Sequence, residues 1–159
     1  MVKKVIYPGT FDPVTLGHLD LIKRAVGIFD VLIVAVASNP HKNPLFSLDE
    51  RIDMLKEVTK DINNIEIDSF DGLLIDYVRN KKCNLVLRGI RAISDFEYEF
   101  QMVLSNRKLA HEIETILMMP SENYSYFSSK IIKEMASLGA DLSEFVPANV
   151  EKKLKEKLL

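Results

Sequence analysis

Val5-Ile6-Tyr7-Pro8-Gly9-Thr10-Phe11-Asp12-Pro13-Val14-Thr15-Leu16-Gly17-His18 is the stretch on which the fold turns. A short apolar run, Val5 to Tyr7, stops at Pro8-Gly9, and an apolar-periodic segment (Leu19, Leu21, Ile22, Ala25, Val26, Phe29) begins just after Gly17. That is the pattern of strand, tight loop and helix. Pro8 and Pro13 fix φ and push the residue before each toward extended geometry, while Gly9 and Gly17 leave room for a backbone or a ligand to come close. A helix start at such a loop presents free N–H groups and the positive end of a dipole, so it attracts anions, phosphate above all. His18 stands in that first turn. The phosphate fingerprints G-x-x-x-x-G-K-[ST] and G-x-G-x-x-G are both absent.

Outward from this stretch, short β-branched runs alternate with helical periodicity. Strands are expected at Lys4–Tyr7, Val31–Ala37, Ile65–Phe70, Leu85–Arg88 and Thr115–Met119. Helices are expected at His18–Phe29, Leu48–Lys60, Leu73–Lys81 and Ser94–Glu112. The alternation predicts right-handed crossovers and an α/β fold with a parallel sheet covered on both faces. Ser47-Leu48-Asp49-Glu50 reads as a capping box. Ser128–Leu138 reads as a helix ended by Gly139, and the tail from Pro147 (Val150, Leu154, Leu158 among lysines and glutamates) as a C-terminal amphipathic helix. No repeat or linker interrupts the chain, so residues 1–159 read as one domain.

The bulk numbers are consistent with that reading. A chain of 159 residues can bury roughly 70% of its unfolded surface. Charged residues make up 28% and the net charge is −2, which excludes a general attraction to nucleic acid or to anionic membrane, so any anion site must be local. No apolar run approaches the roughly 20 residues of a membrane span, and Met1-Val2-Lys3-Lys4 leads directly into a strand. Cys83 is the only cysteine, which agrees with a reducing, cytoplasmic compartment, and it reads as a small residue packed at a strand start. His41 and His111 read as surface residues, and Met118 and Met119 as strand packing.

In a parallel sheet all strand ends of one kind share an edge. The unusual residues follow the strands, at 9–18, 38–44, 71–74, 88–91 and 120–130, so all five clusters meet at the carboxyl edge, where open α/β sheets bind ligands. Arg88-Gly89-Ile90-Arg91 sets two guanidiniums around a glycine, suited either to gripping two phosphate groups or to pairing with Asp95 and Glu99. Lys42 sits in a loop stiffened by Pro40 and Pro44. In Tyr124-Ser125-Tyr126-Phe127-Ser128-Ser129-Lys130, aromatic residues precede hydroxyls and bare N–H groups at a helix start.

Thr15-Leu16-Gly17-His18 matches the T-x-G-H signature of the nucleotidylyltransferase superfamily, and the block Tyr7 to Pro13 resembles the bacterial phosphopantetheine adenylyltransferase family. The likeness continues in Arg88-Gly89-Ile90-Arg91, in Asp95-Phe96-Glu97-Tyr98-Glu99 and in Tyr124 to Glu134, and runs from about Val5 to Val150. It implies a Rossmann-like, doubly wound, five-stranded sheet of order 3-2-1-4-5. It also implies transfer of an adenylyl group from ATP to 4′-phosphopantetheine, giving dephospho-coenzyme A and pyrophosphate in coenzyme A biosynthesis. By the same resemblance His18, Lys42 and Arg91 are catalytic, and Thr10, Lys42, Leu74 and Arg88 hold the acceptor, with Leu73 beside its pantetheine arm. Thr10, Phe11, His18, Gly89, Ile90, Arg91, Glu99 and residues Tyr124 to Lys130 hold ATP.

Mg²⁺ as the companion of ATP, coenzyme A as a feedback ligand and a homohexamer are further implications, with exposed apolar positions around Phe96–Met102 suited to an interface. No dedicated carboxylate cage is expected for the metal. Lys130 stands where the family usually has a third small hydroxyl residue, and altered ATP affinity with retained activity is the expectation. No nucleophile–base pair of the hydrolase type is needed, since a phosphate monoester is largely ionised above about pH 6 and can itself attack the α-phosphorus. The alternatives are a sister enzyme acting on nicotinamide mononucleotide or with CTP, and a nucleotide-binding regulator without catalysis.

Overall fold

The computed structural model describes residues 2–159, the side chains of residues 93 and 94 excepted. Strand β1 is Lys4–Gly9, followed by helix α1 (Leu16–Val26), β2 (Val31–Ala37), α2 (Leu48–Thr59), β3 (Ile65–Phe70), α3 (Leu74–Asn80), β4 (Leu85–Gly89), α4 (Ile93–Leu109), β5 (Glu114–Met118), α5 (Ser129–Ser137) and α6 (Ala148–Leu158). One parallel sheet carries the order β3-β2-β1-β4-β5, as the resemblance implied, so the order reverses between β1 and β4.

Local chemistry sets the boundaries. Helix α1 starts two residues before the expected His18, because Thr15 caps it: the Thr15 hydroxyl accepts from the His18 N–H at 3.2 Å. The expected capping box opens α2, with Ser47 and Glu50 bonding reciprocally at 3.2 and 2.7 Å. Gly139 takes φ +76° beyond α5, its N–H reaching Ala136 O while the Ala140 N–H reaches Met135 O, a Schellman ending. Strand β5 begins and ends one residue early, which leaves Met119 outside it and 70% exposed; only Met118 of that pair packs on the core.

Side chains alternate across the sheet. Val5, Tyr7, Leu32, Val34, Val36 and Leu87 enter the larger core, roofed by α1, α2, α5 and α6. Ile6, Ile33, Ala35 and Val86 face a smaller one with Ile75, Tyr77 and Val78 of α3. Helix α4 adds little to either, since Glu99 is the one buried side chain among those described on it, while Phe96, Tyr98, Phe100, Met102, Leu104 and Leu109 are exposed. Phe96 and Phe100 stack on each other rather than in the core. Cys83 donates to Lys4 O and Leu85 O just ahead of β4.

Candidate active site

The carboxyl edge opens into a hollow of about 700 Å³ at the reversal between β1 and β4. His18, Lys42, Arg88, Arg91, Lys130 and Lys133 bring positive or donating groups to its walls from four separate segments of the chain. A second hollow of about 360 Å³ adjoins it and shares Thr10, Lys42, Arg88 and Glu99. Its other walls are mainly apolar: Leu73, Leu74, Met102, Val103 and Leu109.

His18 is set by its own helix start. Its Nδ1 accepts the Thr15 backbone N–H at 3.0 Å, and the Thr15 hydroxyl lies 3.1 Å from the same nitrogen. A backbone N–H can only donate, so Nδ1 carries the lone pair and the proton of the neutral ring sits on Nε2. Burial, then the nearby Arg91 charge, push the His18 pKa down to about 3, which keeps the ring neutral. The Phe11 ring meets the imidazole edgewise at 4.9 Å, and Phe11 is held at φ +49°, a conformation bulky residues avoid. The result is an oriented neutral N–H donor with few ways to turn.

The glycines are approached closely by the protein itself. The space beside Gly9 is filled by the Phe11 ring, where an added Cβ would stand 2.9 Å from a ring carbon, and that beside Gly17 is closed by Tyr124. An added Cβ at Gly89 would meet Leu21 Cδ1 at 2.6 Å. Gly9 and Gly89 admit neighbouring side chains, Gly17 admits Tyr124 with its backbone O 3.6 Å from an added Cβ, and all three line the larger hollow. The start of α1 is likewise less open than a bare helix end, because the Leu16 N–H donates to Phe145 O at 2.9 Å and the His18 N–H to Thr15.

Arg88 makes a bidentate pair with Glu99 at 2.8 and 2.5 Å and donates to Pro8 O at 3.1 Å. Burial, the largest single influence, works against its charge, and the bond to Glu99, the Glu99 charge and the neighbouring Tyr7 and Tyr98 together overcome it and lift its pKa above the ordinary arginine value. Arg91 reaches Asp95 at 3.2 Å and Phe127 O at 3.2 Å, tying the β4 loop to the loop before α5. That loop is also pinned to α1, since the Ser121 N–H and hydroxyl both donate to Asp20 and Arg24 donates to Met119 O. At the start of α5, the Ser128 hydroxyl accepts the Ile131 N–H, and Ser129 donates its hydroxyl to Pro13 O at 2.9 Å.

Comparison with known proteins decides what this arrangement belongs to. The cytidylyltransferase-like family model matches residues 6–135. A phosphopantetheine adenylyltransferase of Caldanaerobacter subterraneus subsp. tengcongensis is 56% identical over 156 residues, 98% of each chain. That of Desulfosudis oleivorans is 57% identical over 157 residues, 99% of this chain and 94% of the relative. The chain belongs to the cytidylyltransferase-like family, among its phosphopantetheine adenylyltransferases. The fold is shared more widely. A solved bifunctional NMN adenylyltransferase/ADP ribose pyrophosphatase from Francisella tularensis superposes with a TM-score of 0.74 at 17% identity, covering 98% of this chain and 49% of that one.

Set against the sequence reading of this family, the larger hollow gathers Thr10, Phe11, His18, Lys42, Arg88, Gly89, Arg91 and Glu99 with Tyr124, Phe127, Ser128, Ser129 and Lys130. Leu74 and Leu73 lie in the adjoining one. Three named residues stand outside the walls: Ile90, whose N–H donates to Met118 O; Ser125, bonded to Ser121 O; and Tyr126, 74% exposed. Phe127 packs on Phe145 at 4.3 Å, so its ring serves the core. Sequence reasoning named neither Tyr7, Asp12, Thr15 nor Lys133 as wall residues. A signal existed for Lys133, which lies one helical turn beyond Ser129 on the same face of α5. Asp12 had none beyond its place in the opening stretch.

Proposed function

We propose that this chain transfers the adenylyl group of ATP to the phosphate of 4′-phosphopantetheine, releasing pyrophosphate and leaving dephospho-coenzyme A. The observation that carries the reading is the fixed tautomer of His18, a neutral Nε2–H donor at a hollow to which Lys42, Arg88, Arg91, Lys130 and Lys133 bring cations. The acceptor phosphate attacks the α-phosphorus in line, a P–O bond forms as the bond to pyrophosphate breaks, and the electron pair leaves with the pyrophosphate. The acceptor is already an anion, so the protein abstracts no proton. Its task is alignment and stabilisation of charge spreading over the phosphoryl oxygens. His18 donates to those oxygens; Arg91, Lys130 and Lys133 face the polyphosphate; Thr10, Lys42 and Arg88, shared by both hollows, hold the acceptor phosphate. The apolar second hollow suits the pantetheine arm.

The three carboxylates on the larger hollow each have a cation: Lys133 on Asp12, Arg91 on Asp95 and Arg88 on Glu99. This suits magnesium carried on the phosphates of ATP rather than a metal cage built by the chain, and no step depends on it. The exposed apolar residues of α4 support assembly into a homohexamer through that helix. A cytoplasmic setting accords with the absence of any helix long and apolar enough to cross a membrane among the described residues. Coenzyme A, which carries the product's skeleton, is the expected feedback ligand of the same hollows.

Pyrophosphate release tests the reading. It should appear with ATP and 4′-phosphopantetheine, and not with nicotinamide mononucleotide as acceptor or CTP as donor. Release with either of those alone would assign the chain to a sister activity, and release with none would leave a nucleotide-binding regulator.

A further inference from the structure

Asp12 is 5% exposed, yet it lies at the boundary of three segments. Its Oδ1 accepts the Phe46 N–H at 2.9 Å, and its Oδ2 accepts the Leu45 N–H at 2.9 Å and the Lys133 ammonium at 2.5 Å. Leu45 and Phe46 close the loop whose 3₁₀ turn, Pro40–Lys42, carries Lys42. Lys133 rises from the second turn of α5, with 28% of its side chain exposed. Both lysines line the larger hollow.

Close by, Arg51 is 1% exposed and donates to Thr10 O, Ala37 O, Ser38 O, Phe46 O and Ser47 O. Its burial lowers its pKa from the ordinary value, and the Asp12 charge is what opposes that. A buried carboxylate bonded to two amides and an ammonium cannot move without stranding one of them. Arg51 secures the backbone of the Lys42 loop. Among the described residues, Asp12 is the one hydrogen-bonded both to that loop and to α5.

We propose, on the basis of the adenylyl transfer inferred above, that Asp12 is a positioning residue: by joining the Leu45 and Phe46 amides to Lys133, it fixes the Lys42 loop and the Lys133 ammonium as one unit against the reacting phosphates. Asp12 touches no reacting atom. Its effect passes through two cations that local sequence cannot hold in register, and a misplacement of about 1 Å in such groups can cost on the order of 100-fold in rate.

The test is a cycle of Asp12→Asn, Lys42→Met and the double variant, read as kcat and KM for both substrates. Asn keeps the size and an acceptor oxygen but turns an amide group toward another donor and removes the charge facing Lys133. Asp12→Asn should lower kcat by about 30-fold or more with each KM moving less than about fivefold, and adding Lys42→Met should then cost no more than about threefold, because groups acting as a unit are not additive. A full multiplicative loss, or an unchanged kcat in a variant with the parent's melting curve, overturns the proposal. Should Asp12→Asn fail to fold, Lys133→Met takes its place in the same cycle with the same expectations. If the parent itself releases no pyrophosphate, the reading of the reaction has failed; the cycle is then read by calorimetry with ATP, where additive losses of affinity overturn the coupling and sub-additive losses support it.

Discussion

His18 and Lys42 face one hollow from opposite kinds of backbone. His18 is the third residue of a capped helix, its ring nitrogen bonded back to the cap and its flank closed by Phe11. Lys42 ends a three-residue turn flanked by Asn39 at φ +39° and Asn43 at φ +44°, and its side chain is exposed. The first region holds a group in one tautomer and one direction. The second holds only the base of a long, flexible cation, through Arg51 and Asp12. A reaction that must align two anions can use both: a fixed donor where charge develops, and an adaptable cation that follows the incoming phosphate.

The sharpest way to break this contrast is His18→Ala. Removal of a preorganised donor to a developing charge costs on the order of 100- to 1,000-fold in kcat, so kcat should fall by that much while the Kd for ATP, measured by calorimetry, moves only a few-fold. An equal loss in both would make His18 a binding residue. Lys42→Met should follow at about 10- to 100-fold in kcat/KM for 4′-phosphopantetheine, divided between KM and kcat because the lysine serves both capture and alignment. A loss confined to kcat would place Lys42 with His18 on the rigid side.

The same two regions show what the sequence could reveal. The strands, the capping box at Ser47 and the helix stop at Gly139 are local events, and the residues that make them sit within a few positions of one another, so they were legible. The site was legible where a cluster follows a strand, since a parallel sheet collects every such cluster on one edge. Asp12 and Arg51 were not, because their roles exist only as contacts between segments: the Asp12–Lys133 pair spans the chain from the first loop to α5. The Thr15–His18 bond was local and could have been read from a T-x-x-H spacing as a capping box with histidine in the place of Glu or Gln. Gly9 and Gly17 read as room for a backbone or a ligand, and which neighbour comes close is hidden for the same reason as the role of Asp12. Sequence shows that space exists, and only tertiary packing shows that Phe11 and Tyr124 fill it.

A smaller effect separates the two regions by pH. The folded-state pKa of His18 is about 3, against roughly 6.5 for an unperturbed histidine. Between those values the unfolded chain takes up a proton that the folded chain refuses, so the contribution of this group to stability is complete above about pH 6.5 and declines as the pH falls. His18→Asn removes that term. Its melting temperature relative to the parent should therefore rise as the pH is lowered from about 7 to about 5, and a difference that stays constant over this range would mean that His18 accepts a proton in the fold.

Lys130 gives the smallest and most discriminating outcome. It is an exposed residue in the first turn of α5, on the wall of the hollow and beside the Ser128 cap, and like Lys42 it is a flexible cation rather than an oriented donor. Exposed charges contribute about 1 kcal/mol or less and are screened by salt. Lys130→Ser should accordingly weaken ATP about three- to fivefold by calorimetry at low salt, with most of the difference gone at about 0.5 M salt, where the Debye length shrinks to a few ångströms. Turnover at saturating ATP should stay within about twofold of the parent, because a screened cation on a mobile stem binds ground state and transition state alike. A tenfold drop in kcat with unchanged ATP affinity would instead make this lysine part of the transition-state machinery, and the division between a fixed donor and adaptable cations would then fail at α5 first.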